Sequence, residues 1–275
     1  MNNNLRQMNK SMFGVVEEIS TLSPSMVRIV LGGDGLDGFT ATDYTDQYVN
    51  AYFIPENASY SPPFELEEVR ALGDSQRPRP RRFTVRRWDS DTRRLTIDFV
   101  THGDQGYAGA WAQRAKVGDR LQFKGPNGSY KPAMKADWHL LAGDESAISA
   151  ISASVESIPE NKTCLIFLVV DGPENKIEFT SSPLHQIEWI YRSIVPDPDV
   201  ALLEAVKSQD FPAGDFDIFV HGEAEEVRNI RKFLISEHEI NIESASISPY
   251  WRRDHTDEAW RSIKKQWLAD QEMDI

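Results

Sequence analysis

A single cysteine, Cys164, leaves the 275-residue chain no internal disulfide, and no cluster of cysteines offers zinc or iron–sulfur ligation. No charged-then-apolar leader precedes a cleavage site. No apolar run reaches membrane-spanning length, and the longest, residues 164–170, suits a buried strand. Positive charge is the minority sign: 30 basic against 43 acidic residues give a formal −13, which argues against nucleic acid as the main partner. Internal repeats and low-complexity segments are also missing. These absences describe a cytoplasmic protein, expected to be a monomer, with a polar and frayed start over residues 1–10.

Against that background the basic residues are unevenly placed. Eight arginines fall in one segment: Arg77, Arg79, Arg81, Arg82, Arg86, Arg87, Arg93 and Arg94. Such a concentration in a net-acidic chain suits an anionic ligand, or a strand edge kept basic against aggregation. The first half reads as short, partly alternating strands at 13–19, 26–31, 48–54, 82–87, 95–100 and 120–124, separated by Gly, Pro and Asp clusters. That is the rhythm of an antiparallel β-barrel. From residue 137 the pattern becomes strands at 138–143, 163–170, 187–191 and 215–220 alternating with helices at 144–155, 199–208 and 224–237. Alternation of this kind predicts a Rossmann-like α/β domain with a parallel sheet and ligands at the strand C-terminal ends. Residues 250–275 read as a loop and a C-terminal helix. The expected domains are therefore 11–132, 137–248 and a tail, 249–275.

Three segments carry chemistry. On the strand Arg81-Arg82-Phe83-Thr84-Val85-Arg86, side chains alternate, so Arg82, Thr84 and Arg86 share one face. Arginine forks for a pyrophosphate, an aromatic ring and a small hydroxyl are what a flavin dinucleotide requires. After Phe99-Val100, the run from Thr101 to Ala112 brings a glycine every third residue before an expected helix at 108–114, whose start suits an anion. Taken alone, His102 there caps local backbone and Trp111 packs in a core. The third segment, Leu140 to Ala147, is a strand that breaks at Gly143, where backbone N–H groups can face a nucleotide; Asp144 is either a cofactor contact or a helix N-cap.

Together with Gly125-Pro126-Asn127-Gly128, Gly222-Glu223 and Tyr250-Trp251-Arg252-Arg253, these segments resemble, in order, the motifs of the siderophore-interacting proteins. These are FAD-dependent ferric-siderophore reductases of the ferredoxin-reductase superfamily. The resemblance implies a flavin barrel, a nicotinamide-binding domain using NADH or NADPH, and a ferric siderophore bound in a cleft. It implies FAD contacts from Arg81, Phe83, Thr84, Val85 and Arg86, from Phe99, Val100, His102, Gly106, Ala108 and Trp111, and from Asp144, Ser146, Ala147 and Trp251. Thr84 would stand nearest the reaction. Family members commonly carry a lysine where this chain has Asn50, and often a basic residue where it has Asn127, which weakens capture of an anionic siderophore.

The C-terminal helix offers a compensation. Thr256 suits its N-cap, and Trp260, Ile263 and Trp267 share a face. At about 100° per residue, Lys264 lies roughly 40° from Trp260. It either snorkels to water or joins Arg252 and Arg253 in drawing in the ferric complex. Arg192 and Lys176 are weak candidates for a 2′-phosphate contact, so the choice of NADH, NADPH or ferredoxin as donor stays open. A general flavin reductase and a non-catalytic siderophore carrier are the alternatives.

Overall fold

The computed structural model of the protein describes residues 11–101, 106–238, 240 and 245–272. The chain divides into two compact units, the first ending at Lys131 and the second beginning at Pro132.

In the first unit six antiparallel strands close into a barrel. They are β1 (Ser11–Ser23), β2 (Met26–Gly32), β3 (Tyr48–Phe53), β4 (Arg79–Asp89), β5 (Arg94–Val100) and β6 (Arg120–Asn127). Their order around the barrel is β1-β2-β5-β4-β3-β6. Two short helices accompany them: α1 (Leu66–Arg70), which sequence reading misses, and α2 (Ala108–Arg114), as expected. Alternation does the sorting. Val49, Ala51, Phe53, Val85, Leu121 and Phe123 point into a core with Ile97 and Phe99, and the intervening residues point out.

The second unit is a five-stranded parallel sheet in the order β11-β10-β7-β8-β9. Its elements are β7 (Trp138–Asp144), α3 (Ile148–Ser157), β8 (Thr163–Val170), β9 (His185–Tyr191), α4 (Ala201–Lys207), β10 (Phe216–Glu223), α5 (Ala224–His238), β11 (Ser246–Trp251) and α6 (Asp257–Glu272). The central strands β7 and β8 are apolar nearly throughout, as strands covered on both faces must be. On α6, Trp260 and Trp267 are buried with their rings 5.5 Å apart, and Thr256 Oγ1 accepts the N–H of Ala259 as the expected cap.

Two expectations need correction. β7 continues through Asp144 and α3 begins only at Ile148, because Asp144 folds its own turn: its Oδ1 accepts from Ser146 N–H at 2.8 Å, and its backbone oxygen accepts from Ala147 N–H at 2.9 Å. Asp144 is therefore not the N-cap of α3, a position held by Ala147 with no side-chain cap. Residues 246–251, partly read as loop, are a fifth strand pairing in parallel with β10.

Candidate functional site

The arginine strand β4 presents two faces. Phe83 turns inward and joins an aromatic cluster, 4.5 Å from Phe99 and 5.8 Å from Phe53 between ring centroids; Trp111 of α2 stands 5.7 Å from both Phe99 and Phe53. Phe99 is fully buried, so of the Phe99-Val100 pair only Val100, half-buried, is open to a ligand. Thr84 and Arg82 turn outward. Arg79 and Arg81 converge on Tyr107, with guanidinium carbons 5.7 and 5.8 Å from the ring centre. Arg79 is half-committed: Asp74 takes its terminal nitrogens at 3.1 Å, while its buried Nε has no hydrogen-bond partner. Tyr107 and Gly106 border a cavity of about 620 Å³ whose lining includes Ile54, Pro55, Ala110 and Trp111. Gly106 stands at φ 75 with open space around it, so the backbone there can be approached closely. Ala108 is buried at the start of α2, and His102 lies outside the described residues.

A flavin dinucleotide fits this donor set. Cationic forks with an unused buried N–H suit a diphosphate, and the adjoining cavity leaves room for a bound group.

In the second unit the three motifs recognised separately meet at one carboxylate. Asp144 Oδ1 takes the N–H and hydroxyl of Ser146, at 2.8 and 2.5 Å. Its Oδ2 takes Glu223 N–H at 2.8 Å and Trp251 Nε1–H at 2.7 Å. Glycine makes this approach possible. A Cβ on Gly143 would lie 2.2 Å from the His221 carbonyl oxygen, and one on Gly222, at φ 146, would lie 2.8 Å from Asp144 Oδ2. The N–H groups of Ser146 and Ala147, expected to face a cofactor, are thus occupied inside the turn.

Around Asp144 lie further acids. Glu223 caps α5 through the N–H groups of Glu225 and Glu226, at 2.7 and 3.1 Å, and its other oxygen accepts Arg253 N–H at 3.0 Å. Glu145 pairs with Arg192 at 2.8 Å, and burial pushes its carboxyl up to about 7. Burial, reinforced by the Asp144 charge, pushes Glu226 to about 8.

The three tail cations expected to draw in the ferric complex are engaged within this unit. Arg252 reaches Glu225 at 3.1 Å, Arg253 pairs with Asp199 and lies 3.5 Å from Glu226, and Lys264 Nζ donates to the Pro249 carbonyl at 2.6 Å. Neither 2′-phosphate candidate is uncommitted: Arg192 also contacts Asp171 at 3.2 Å, and Lys176 rides over Trp189 at 5.7 Å.

With both units in view, comparison with known proteins is decisive. The profile described as "Siderophore-interacting FAD-binding domain" matches residues 15–130, and the one described as "Siderophore-interacting protein" matches residues 136–254. The chain belongs to the siderophore-interacting protein family. An uncharacterized protein of Mycobacterium tuberculosis is 39% identical over 91% of this chain and 93% of its own length. Ferric vibriobactin reductase ViuB of Vibrio cholerae is 33% identical over 91% of this chain and 92% of its own. The crystal structure of the siderophore-interacting protein SipS from Aeromonas hydrophila superposes with a TM-score of 0.81 at 25% identity, covering 95% of this chain and 99% of that one. The first unit is accordingly the family's FAD-binding domain. Among the described residues no helix is long and apolar enough to cross a membrane.

Proposed function

We propose that the chain is an FAD-dependent ferric-siderophore reductase that draws electrons from a nicotinamide nucleotide and releases iron as Fe(II). The observation that carries this reading is the convergence of Arg79 and Arg81 on Tyr107 beside the cavity, within the unit that matches the FAD-binding domain. The kinship with a protein named ferric vibriobactin reductase supports the choice of acceptor.

Arg81, with Arg79 and Arg86, holds the diphosphate of the cofactor. Thr84 offers its hydroxyl from the outward face of β4, beside the reacting ring. Phe83, Phe99 and Trp111 form the rigid apolar support behind that strand. When bound, FAD supplies hydride acceptance from the nucleotide and single-electron delivery to Fe(III). Hard oxygen ligands hold Fe(II) less tightly than Fe(III), so the metal dissociates once reduced.

Arg81→Ala is expected to lower the flavin-to-protein absorbance ratio several-fold after gel filtration, with the fold intact by circular dichroism. A full flavin complement in that variant would remove Arg81 from the site. Mixing the parent protein anaerobically with NADH and a ferric siderophore, with a ferrous chelator present, should bleach the flavin bands and then restore them as the ferrous complex appears. Bleaching without ferrous complex would point to another acceptor.

A further inference from the structure

Five arginines around the barrel are spent on carboxylates: Arg28 on Asp98, Arg79 on Asp74, Arg93 on Asp37, Arg94 on Glu17 and Glu18, Arg114 on Glu56. Arg82 and Lys124 are not, and among the described residues neither are Arg70, Arg77, Arg87 and Arg120. Among the described residues neither Arg82 nor Lys124 has a carboxylate within ion-pair range, and Arg82 lies over the Tyr48 ring at 5.2 Å.

Strand register brings the two together. Asn50 on β3 is paired with Arg82 on β4 and with Lys124 on β6, so the three side chains form one row across the barrel wall. The row faces outward, because the alternate residues Val49, Ala51, Phe123 and Val85 fill the core. Two strand spacings separate the cations, about 10 Å. The next row along is Thr84, Tyr48 and Asn127, so Thr84 stands only two residues from Arg82 on the same face, about 7 Å along the strand. On the other side, Tyr52 is covered by Phe64, whose backbone N–H and carbonyl are clasped by the side chain of Gln122 at 2.7 Å. That cover stops short of Arg82, which is exposed.

We infer that Arg82 and Lys124, flanking Asn50, form the capture site for a ferric complex carrying net negative charge on its peripheral oxygens, of catecholate or hydroxycarboxylate chemistry. This rests on the reductase reading, in which Thr84 lies beside the electron source. The row supplies positive charge to either side of a residue that is itself neutral. Arg252, Arg253 and Lys264 are less free for that task, since each is already engaged. Capture of this kind is electrostatic, favours anions over cations, and weakens with salt.

The test uses the FAD-loaded protein at low ionic strength and follows tryptophan fluorescence during titration. Two probes serve: a trianionic iron(III) tris-catecholate and the cationic iron(III) trihydroxamate ferrioxamine B. For the R82Q/K124Q double variant, Kd for the trianion should rise about tenfold or more and lose most of its salt dependence, with the cationic complex unaffected or tighter. Asn50→Asp, which sets a carboxylate between the two cations, should weaken the trianion without removing either one. A double variant that binds the trianion within twofold of the parent overturns the placement. So does one that loses flavin, since the cations would then serve the cofactor. A parent that binds neither probe overturns the reductase reading itself.

Discussion

Asp144→Asn should destabilise the second unit by about 3–5 kcal/mol, the range for breaking a buried, hydrogen-bonded charge. Each oxygen of Asp144 accepts two donors, and three of the four cannot turn away: two are backbone N–H groups and one is an indole N–H, while the fourth, the hydroxyl of the neighbouring Ser146, can rotate. An amide has one accepting edge. In one flip its NH₂ meets the Glu223 and Trp251 donors, and in the other it meets the Ser146 N–H beside a hydroxyl that can rotate to accept. One gain works in the other direction, because the Asp144 charge helps raise the carboxyls of Glu145 and Glu226, and removing it relieves both. That relief is spread over two groups and is smaller than the cost of setting an NH₂ against fixed, buried donors. Urea unfolding followed by tryptophan fluorescence measures the difference, and a loss below about 1 kcal/mol would mean that the junction tolerates an amide. The same variant addresses cofactor binding. If Asp144 serves mainly to bind β7, β10 and β11 together, the folded fraction keeps its flavin; if it touches the cofactor, flavin is lost in proportion.

Why the sequence reading did well in some places and poorly in others has a physical pattern. The barrel was legible because each strand carries its own evidence: β5 and β6 alternate into a core, and turns bracket them. β8 was legible for the opposite reason, being apolar on both faces. β11 was not, since Ser-Ile-Ser-Pro-Tyr-Trp is short, half polar and interrupted by Pro249, which only an edge strand accepts. The start of α3 was misplaced because a carboxylate four residues upstream captured the turn. Nothing local in Asp144-Glu145-Ser146 distinguishes a cap from that arrangement.

The junction at Asp144 was hidden for another reason. Its partners Glu223 and Trp251 lie 79 and 107 residues away, and only parallel register brings them together. A signal was nevertheless available. Two strands end alike, in Gly143-Asp144 and Gly222-Glu223, and adjacent strands with glycine at corresponding tips invite close approach. The row of Arg82, Asn50 and Lys124 was likewise out of reach, because cross-strand partners follow from register, and register from closure of the barrel.

Glu226→Gln should make the second unit more stable, by an amount that grows with pH. The side chain is 3% exposed and neither carboxyl oxygen has a hydrogen-bond partner. Around it stand Asp144 on β7, Arg192 after β9, Glu223 at the cap of α5 and Arg253 after β11. Burial and the nearby acids outweigh the two arginines, lifting its pKa from 4.5 to about 8. The sign follows from proton counting. Between those values the folded protein keeps a proton that the unfolded chain has released, so stability falls as pH rises through this window and levels off above it. Glutamine keeps the shape and cannot ionise in either state. The variant should match the parent near pH 4.5 and exceed it by roughly 3–5 kcal/mol at pH 9, since each pH step of one across the window costs the parent about 1.4 kcal/mol. A shallower slope ending near pH 7 should survive in the variant, contributed by Glu145, whose carboxyl is raised for the same reason and remains paired with Arg192. Urea midpoints at pH 5, 7 and 9 separate the two contributions. Identical slopes in parent and variant would place the retained proton on another acid of the cluster, with Glu226 ionised against Arg253.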